Sequence, residues 1–246
     1  NCAFGQCVYR EDTFQAAPCS LTGPPTLLTG GINAAGWISG VFFDCEGYRH
    51  PFWWDGSFMH VVALPANRPH GAASDINTSS QLVGSMWNDF TGSSTHAFVA
   101  HRGVITDLGT LSGDNPLAGP TTAMAINDLG VIVGSSGAPP ESLHAFRWEN
   151  GTMTDLNVSL GPLSEAFDIN NRNEICGFMG SSSNARAFRW HDGVTTQLSD
   201  LHSAAYGINN HGDVCGFYSE RTPNGLSVKA VLWSADGRQI EISGLP

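Results

Sequence analysis

The sequence predicts an all-β protein, a β-propeller of five four-stranded blades, on three observations. A block opening on Ile-Asn recurs five times, at Ile32-Asn33, Ile76-Asn77, Ile126-Asn127, Ile169-Asn170 and Ile208-Asn209. Each copy contains two tight turns rich in Asn, Asp and Gly, the residue types that let a chain reverse between antiparallel strands. No segment sustains the 3.6-residue apolar period of a helix. The Ile-Asn pairs are spaced by 44, 50, 43 and 39 residues. A four-stranded unit repeated every ~40–45 residues is the pattern of propeller blades, and radial repetition also protects strand edges without a heavily charged surface.

Within a repeat the elements follow in a fixed order. In the fourth copy the expected strands are 165–169, 174–178, 185–190 and 194–198. Asn170-Asn171-Arg172-Asn173 joins the first pair, and His191-Asp192-Gly193 joins the third strand to the fourth. Seven residues after each repeated Asn stands a glycine: Gly40, Gly84, Gly134, Gly177 and Gly216. The third strand opens a second shared block, clearest at His144–Gly151, with counterparts at His50–Gly56, His96–Gly103, Arg186–Gly193 and Lys229–Gly237. The remaining connections vary in length and are surface loops. Repeat boundaries fall near 27–70, 71–120, 121–163, 164–202 and 203–246, behind a cysteine-rich segment at 1–26. In that segment 7–14 resembles Phe146–Met153, a third and fourth strand without the first two. The expectation is five blades with this hairpin packed at the ring seam. An incomplete sixth blade and strands lent to a neighbouring molecule stay open as alternatives.

The pairing of Ala-x-x-Ile-Asn-x-x-Gly-x-x-x-Gly with His-Ala-Phe-x-Trp-x-x-Gly, best seen in Ala123–Gly134 and His144–Gly151, resembles the extracellular HAF repeat family over roughly residues 27–246. The resemblance implies a propeller and a secreted, bacterial protein. It supplies no catalytic residue.

Composition narrows the function classes. The 246 residues include 22 acidic and 11 basic ones, a formal charge of −11, and the only lysine is Lys229. No basic stripe exists, which argues against a nucleic-acid partner. No apolar run reaches the ~18–20 residues of a membrane span. The chain begins at Asn1 rather than Met and is read as processed, trimmed or incompletely assigned. Four of six cysteines, Cys2, Cys7, Cys19 and Cys45, crowd the first 45 residues, a framework expected to be oxidised outside the cell. Three pairings are possible, of which Cys2–Cys7 with Cys19–Cys45 is preferred. Cys176 and Cys215 hold the same place in successive repeats. Neighbouring sheets pack ~10 Å apart and matching side chains point the same way, so these two are expected unpaired and buried.

The repeated side chains read first as structure. Asn33, Asn77, Asn127, Asn170 and Asn209 open tight turns, although a ring of them would also suit a ligand-binding face. Phe52, Phe98, Phe146 and Phe188, with Trp54, Trp148, Trp190 and Trp233, recur at fixed offsets as inter-blade core. The column opening the third strand is always basic or titratable: His50, His96, His144, Arg186 and Lys229. It is a candidate anion-binding belt. The alternative is that each member bonds a turn carboxylate or carbonyl. Equivalent positions in different blades lie too far apart to share a metal at ~2.0–2.1 Å, so no metal site is assigned.

No nucleophile elbow, paired-histidine zinc motif, Cys-x-x-Cys or phosphate-cradling loop is present, and no cofactor or catalytic residue is implied. The expected function is a secreted binding or scaffolding module acting through its rim loops on a protein or glycan ligand. A self-assembling subunit, as a homo-oligomer or filament joined through the N-terminal segment, is the first alternative. A hydrolase or lyase with its site at the channel mouth is the second.

Overall fold

The computed structural model describes residues 27–242 except 45, 89–94, 114–118, 139–141, 157, 159–160, 182 and 224. The four N-terminal cysteines and the expected hairpin at 7–14 lie outside the described residues. Twenty strands and no helix are found among those described.

The strands form five antiparallel meanders in chain order. The first is β1 (Leu27–Ile32), β2 (Ile38–Phe43), β3 (Arg49–Trp54) and β4 (Met59–Val61). The second is β5 (His70–Ile76), β6 (Leu82–Trp87), β7 (His96–His101) and β8 (Val104–Asp107). The third is β9 (Thr121–Ile126), β10 (Ile132–Ala138), β11 (Ser142–Glu149) and β12 (Thr152–Asp155). The fourth is β13 (Leu163–Ile169), β14 (Ile175–Gly180), β15 (Arg186–His191) and β16 (Val194–Gln197). The fifth is β17 (His202–Ile208), β18 (Val214–Thr222), β19 (Gly225–Trp233) and β20 (Gln239–Ile242). The fourth meander begins two residues before its sequence-expected start, because Leu163 pairs in parallel with Leu143 of the third.

Turn chemistry sets the hairpins. The third residue after each repeated Asn has positive φ: Gly36, Ser80, Gly130, Asn173 and Gly212. In the outer hairpins of the second to fourth sheets, Arg102-Gly103, Asn150-Gly151 and Asp192-Gly193 both adopt positive φ, the geometry of a two-residue primed turn.

Four apolar cores lie between successive sheets rather than one at the centre. Trp37 and Trp53 of the first sheet pack against the cluster of Leu82, Met86 and Phe98 of the second. Val83 and Ala97 meet Ala123, Ile132 and Phe146. Val133 and Ala145 meet Ile175 and Phe188, and Cys176 and Ala187 meet Val214 and Val231. The second to fourth sheets thus turn their Phe column toward the preceding sheet and their Ala column toward the following one. The innermost strands β1, β5, β9, β13 and β17 contact one another in succession, which arranges the sheets radially.

A hydrogen bond recurs at these boundaries. The Ala145 N–H donates to Ser164 Oγ, and the Ala187 N–H to Ser203 Oγ, both at 2.9 Å. The matching pair between the first two sheets is Pro51 and Gly71, where proline has no N–H and glycine no hydroxyl. A Cβ on Gly71 would stand 2.8 Å from Leu64 Cδ1 and 3.5 Å from Pro51 Cδ.

The radial series does not close among the described residues. No contact comparable to the other inner-strand contacts joins β17 to β1. On the fifth sheet Cys215 and Ala230 are exposed, whereas their equivalents Cys176, Ala97, Ala145 and Ala187 are fully buried. Cys176 and Cys215 are both free thiols, but the expectation that both are buried fails for Cys215. Among the described residues no sheet covers that side of the fifth.

The glycine seven residues after each Asn has a shared cause. It lies opposite the Phe column, as in Gly40–Phe52, Gly84–Phe98, Gly134–Phe146 and Gly177–Phe188. It also faces a β-bulge in the first strand, found in all five sheets. At Gly134 a Cβ would stand 1.9 Å from Thr122 O and 3.0 Å from a Phe146 ring carbon. Gly134→Ala is therefore expected to destabilise the protein by about 3 kcal/mol, the upper end of overpacking costs. Urea unfolding measures this, and a loss below about 1 kcal/mol contradicts the bulge argument.

Candidate functional site

The repeated asparagines gather at one end of the radial axis, where they line a cavity of about 360 Å³ with Ile32, Asp75, Asp128, Asp168 and Asn171. Each Asn does two jobs. Its Oδ1 accepts from two backbone amides of its own turn, as Asn127 does from Leu129 and Val131 at 3.1 and 3.0 Å. Its Nδ2 then reaches the next sheet. Asn33 donates to Asn77 O, Asn77 to Asn127 O, Asn127 to Asn170 O and Asn170 to Asn209 O, all at 2.9–3.0 Å. At Asn209 the series ends, and its Nδ2 turns back to Asp213 Oδ2 of its own turn. A second circle runs beside it: the amides of Thr78, Asp128 and Asn171 donate to the side chains of Asp128, Asn171 and Asn210. These asparagines carry the polar inter-sheet bonding, and those bonds occupy the atoms that a ligand would otherwise meet.

Two carboxylates sit just above this ring, on alternate sheets. Asp75 Oδ1 accepts from the Ile76 N–H and Oδ2 from the Ile126 N–H of the next sheet, at 2.8 and 2.9 Å. Asp168 repeats the arrangement with Ile169 and Ile208, both at 2.8 Å. The same position elsewhere is Gly31, Ala125 or Gly207, and a Cβ on Gly31 would stand 2.1 Å from Asp75 Oδ1. Burial pushes the Asp75 carboxyl up to about 6, and the nearby Asp168 and Asp128 charges add to the rise. Burial raises Asp168 as well, although its two backbone amides pull the other way. Carboxyls titrating near neutrality suit acid–base chemistry. Here both oxygens of each are held by backbone amides that join one sheet to the next, so the pair reads as part of the frame.

The basic column does not converge. His96 Nδ1 lies 2.7 Å from Asp107 Oδ2, and Arg68 Nη2 lies 2.8 Å from His96 Nε2. Arg68 can only donate, so Nε2 accepts and Nδ1 carries the proton toward Asp107. His144 Nδ1 meets Asp155 Oδ2 at 2.6 Å, and His50 Nε2 meets Asp44 Oδ2 at 2.9 Å. Arg186 bonds the Ala185 carbonyl, and Lys229 lies between Glu220 and Glu241. Hydrogen bonds to those two glutamates hold the Lys229 ammonium above its usual range. Among the described residues no three His, Cys, Asp or Glu side chains come together to hold a metal ion. No helix of the described residues is long and apolar enough to cross a membrane.

One boundary departs from the repeat. At the end of the second strand the fourth and fifth sheets carry Met179-Gly180 and Tyr218-Ser219, and the third carries Ser136-Gly137. The first two sheets carry Phe42-Phe43 and Met86-Trp87 instead. By strand direction these residues lie at the end of the sheets opposite the Asn turns. Tyr48 stacks on His70 with ring centroids 4.9 Å apart, and Phe42 stacks on His50 at 4.8 Å. His70 stacks on Trp87 at 6.4 Å. The exposed Arg49 guanidinium lies over both the Phe43 and Trp87 rings, at 5.3 and 5.6 Å. Sequence reasoning marked His50 but missed Tyr48, Arg49, His70 and Trp87. The available signal was their divergence from the other copies.

No protein family and no curated protein sequence matches the chain. Solved structures do. A putative TolB from Agrobacterium tumefaciens aligns at TM-score 0.60 and 12% identity, over 90% of this chain and 82% of that one. TolB from Acinetobacter baumannii aligns at 0.58 and 17%, over 87% of this chain and 53% of that one. An acylaminoacyl peptidase from Pyrococcus horikoshii aligns at 0.56 and 15%, over 90% of this chain but only 39% of its own length. Together with the radial sheets, these likenesses give the fold class as β-propeller.

Two outcomes follow from the ring. Asn127→Ala removes two turn bonds and the link to Asn170, whereas Asn209→Ala removes turn bonds only. Chemical denaturation is expected to show losses of about 3 and about 1 kcal/mol respectively, and equal losses contradict the inter-sheet role. The raised Asp75 pKa means the folded state favours the neutral acid. Its contribution to stability is full below pH ~4 and fades as pH rises through about 6. Asp75→Asn should therefore gain on the parent chain between pH 4 and 7, by at most about 3 kcal/mol. Parallel urea titrations at the two pH values read the difference.

Proposed function

We propose that the protein is an extracellular binding module, and that the surface between its first two sheets takes a saccharide. The observation carrying this reading is the concentration of Tyr48, Arg49 and Trp87 about the buried His70 at that boundary, where the second strands of the other sheets end on Gly137, Gly180 and Ser219 in place of Phe43 and Trp87. An aromatic face is electron-rich and attracts the C–H face of a sugar ring, while a guanidinium offers up to five donors to hydroxyl oxygens. In the same reading the ring is built of five blades. Kinship with the HAF repeat family and secretion belong to it too, supported by the His144–Gly151 block, the single lysine and the six cysteines.

Self-assembly is the second reading. It requires that the apolar side of the fifth sheet, where Leu226, Val228 and Ile242 are 70%, 64% and 59% exposed, be left to a second copy.

A glycan array followed by titration calorimetry tests the first reading. Trp87→Ala and Arg49→Ala are each expected to weaken the best glycan about tenfold or more, equivalent to 1.4 kcal/mol, with the melting temperature of Arg49→Ala unchanged. An array without hits, or variants that bind like the parent chain, removes the proposal.

A further inference from the structure

The uncovered side of the fifth sheet has a definite composition. Cys215 and Phe217 of β18, Leu226, Val228, Ala230 and Leu232 of β19, and Ile240 and Ile242 of β20 share one side. This follows because Val214, Val231 and Trp233, which alternate with them, are buried against the fourth sheet. In the second to fourth sheets the corresponding side is covered by the sheet that follows. Here it is apolar and open. Both circles of hydrogen bonds between turns also stop at this boundary, at Asn209 and Asn210.

We infer that residues 1–26 of the same chain cover this side of the fifth sheet and shield Cys215. Three observations select this occupant over a second copy. The segment joins directly onto β1, whose Leu28 and Ile32 are 55% and 68% exposed at the other border of the same gap. A tether that short gives the segment an effective concentration on the order of millimolar, which a free copy reaches only in concentrated solution. The segment holds only three charged residues, Arg10, Glu11 and Asp12, so it can be buried on an apolar sheet at small electrostatic cost. Finally, 7–14 repeats the pattern of a third strand and its turn, and an added strand pair is the usual way to complete an open sheet stack. The inference goes beyond saccharide binding and is tested without any ligand.

Maleimide labelling of native protein, read at Cys215 by peptide mapping, is the experiment. The fully buried Cys176 serves as the internal control for folding. The full chain is expected to label at Cys215 at least tenfold more slowly than a chain lacking residues 1–26. A disulfide mapped within one chain between Cys215 and Cys2, Cys7 or Cys19 supports the inference equally. Equally fast labelling of both chains overturns it. So does slow labelling accompanied by a dimeric mass in light scattering, or a Cys215 disulfide between two chains, because a second copy then fills the place. In case the shortened chain fails to fold, Val228→Glu in the full chain gives an independent reading. At a solvent-exposed site it should change nothing. Under a docked segment it should speed Cys215 labelling several-fold and lower the melting temperature.

Discussion

The fold rests on one side chain used five times. Asparagine at the head of each inner turn accepts two amides of that turn with its carbonyl, and in the first four sheets it hands its amide hydrogen to the next sheet. The first act fixes the hairpin, and the second fixes the angle and height at which the next hairpin stands. No other short side chain offers an acceptor and a donor at the required separation. Aspartate would keep the turn and lose the link, and serine is too short to span to the neighbouring carbonyl. The apolar cores between sheets supply most of the cohesion, as burial does in any globular protein. They are non-directional, and it is the asparagine series that sets the register in which they form.

The parts legible in the sequence were those repeated within it. The Ile-Asn blocks located the inner hairpins, the following glycines marked a fixed place in the second strand, and the Asn-Gly and Asp-Gly pairs placed the outer turns. The fourth sheet lies within two residues of expectation for this reason. What remained hidden was whatever depends on two different copies at once. Asp75 and Asp168 occupy a column whose other members are glycine or alanine, and only the fold reveals that each carboxylate caps an amide in the neighbouring sheet. The Tyr48–His70–Trp87 stack draws on both first sheets and has no repeat of its own. The burial of Cys215 was misjudged because the repeat suggests a neighbour on both sides of every sheet, whereas among the described residues the last has one.

This division also separates frame from function. A residue kept in every copy is accounted for by the geometry that all copies share, as the five turn asparagines show. Side chains found in one copy alone are not fixed by that shared geometry. On this chain they cluster at the loop-bearing end between the first two sheets, away from the crowded hydrogen bonds of the opposite end.

The Pro51–Gly71 pair has a bearing on how such rings change. At the third and fourth boundaries a serine hydroxyl answers an alanine amide, so those units carry matching edges. The first boundary has lost both halves together. A unit moved into the second position from elsewhere would bring a hydroxyl with no amide to meet, and one moved into the first would bring an amide facing glycine. The units look alike, yet these two fit each other as a lock fits its key and are exchangeable only as a pair.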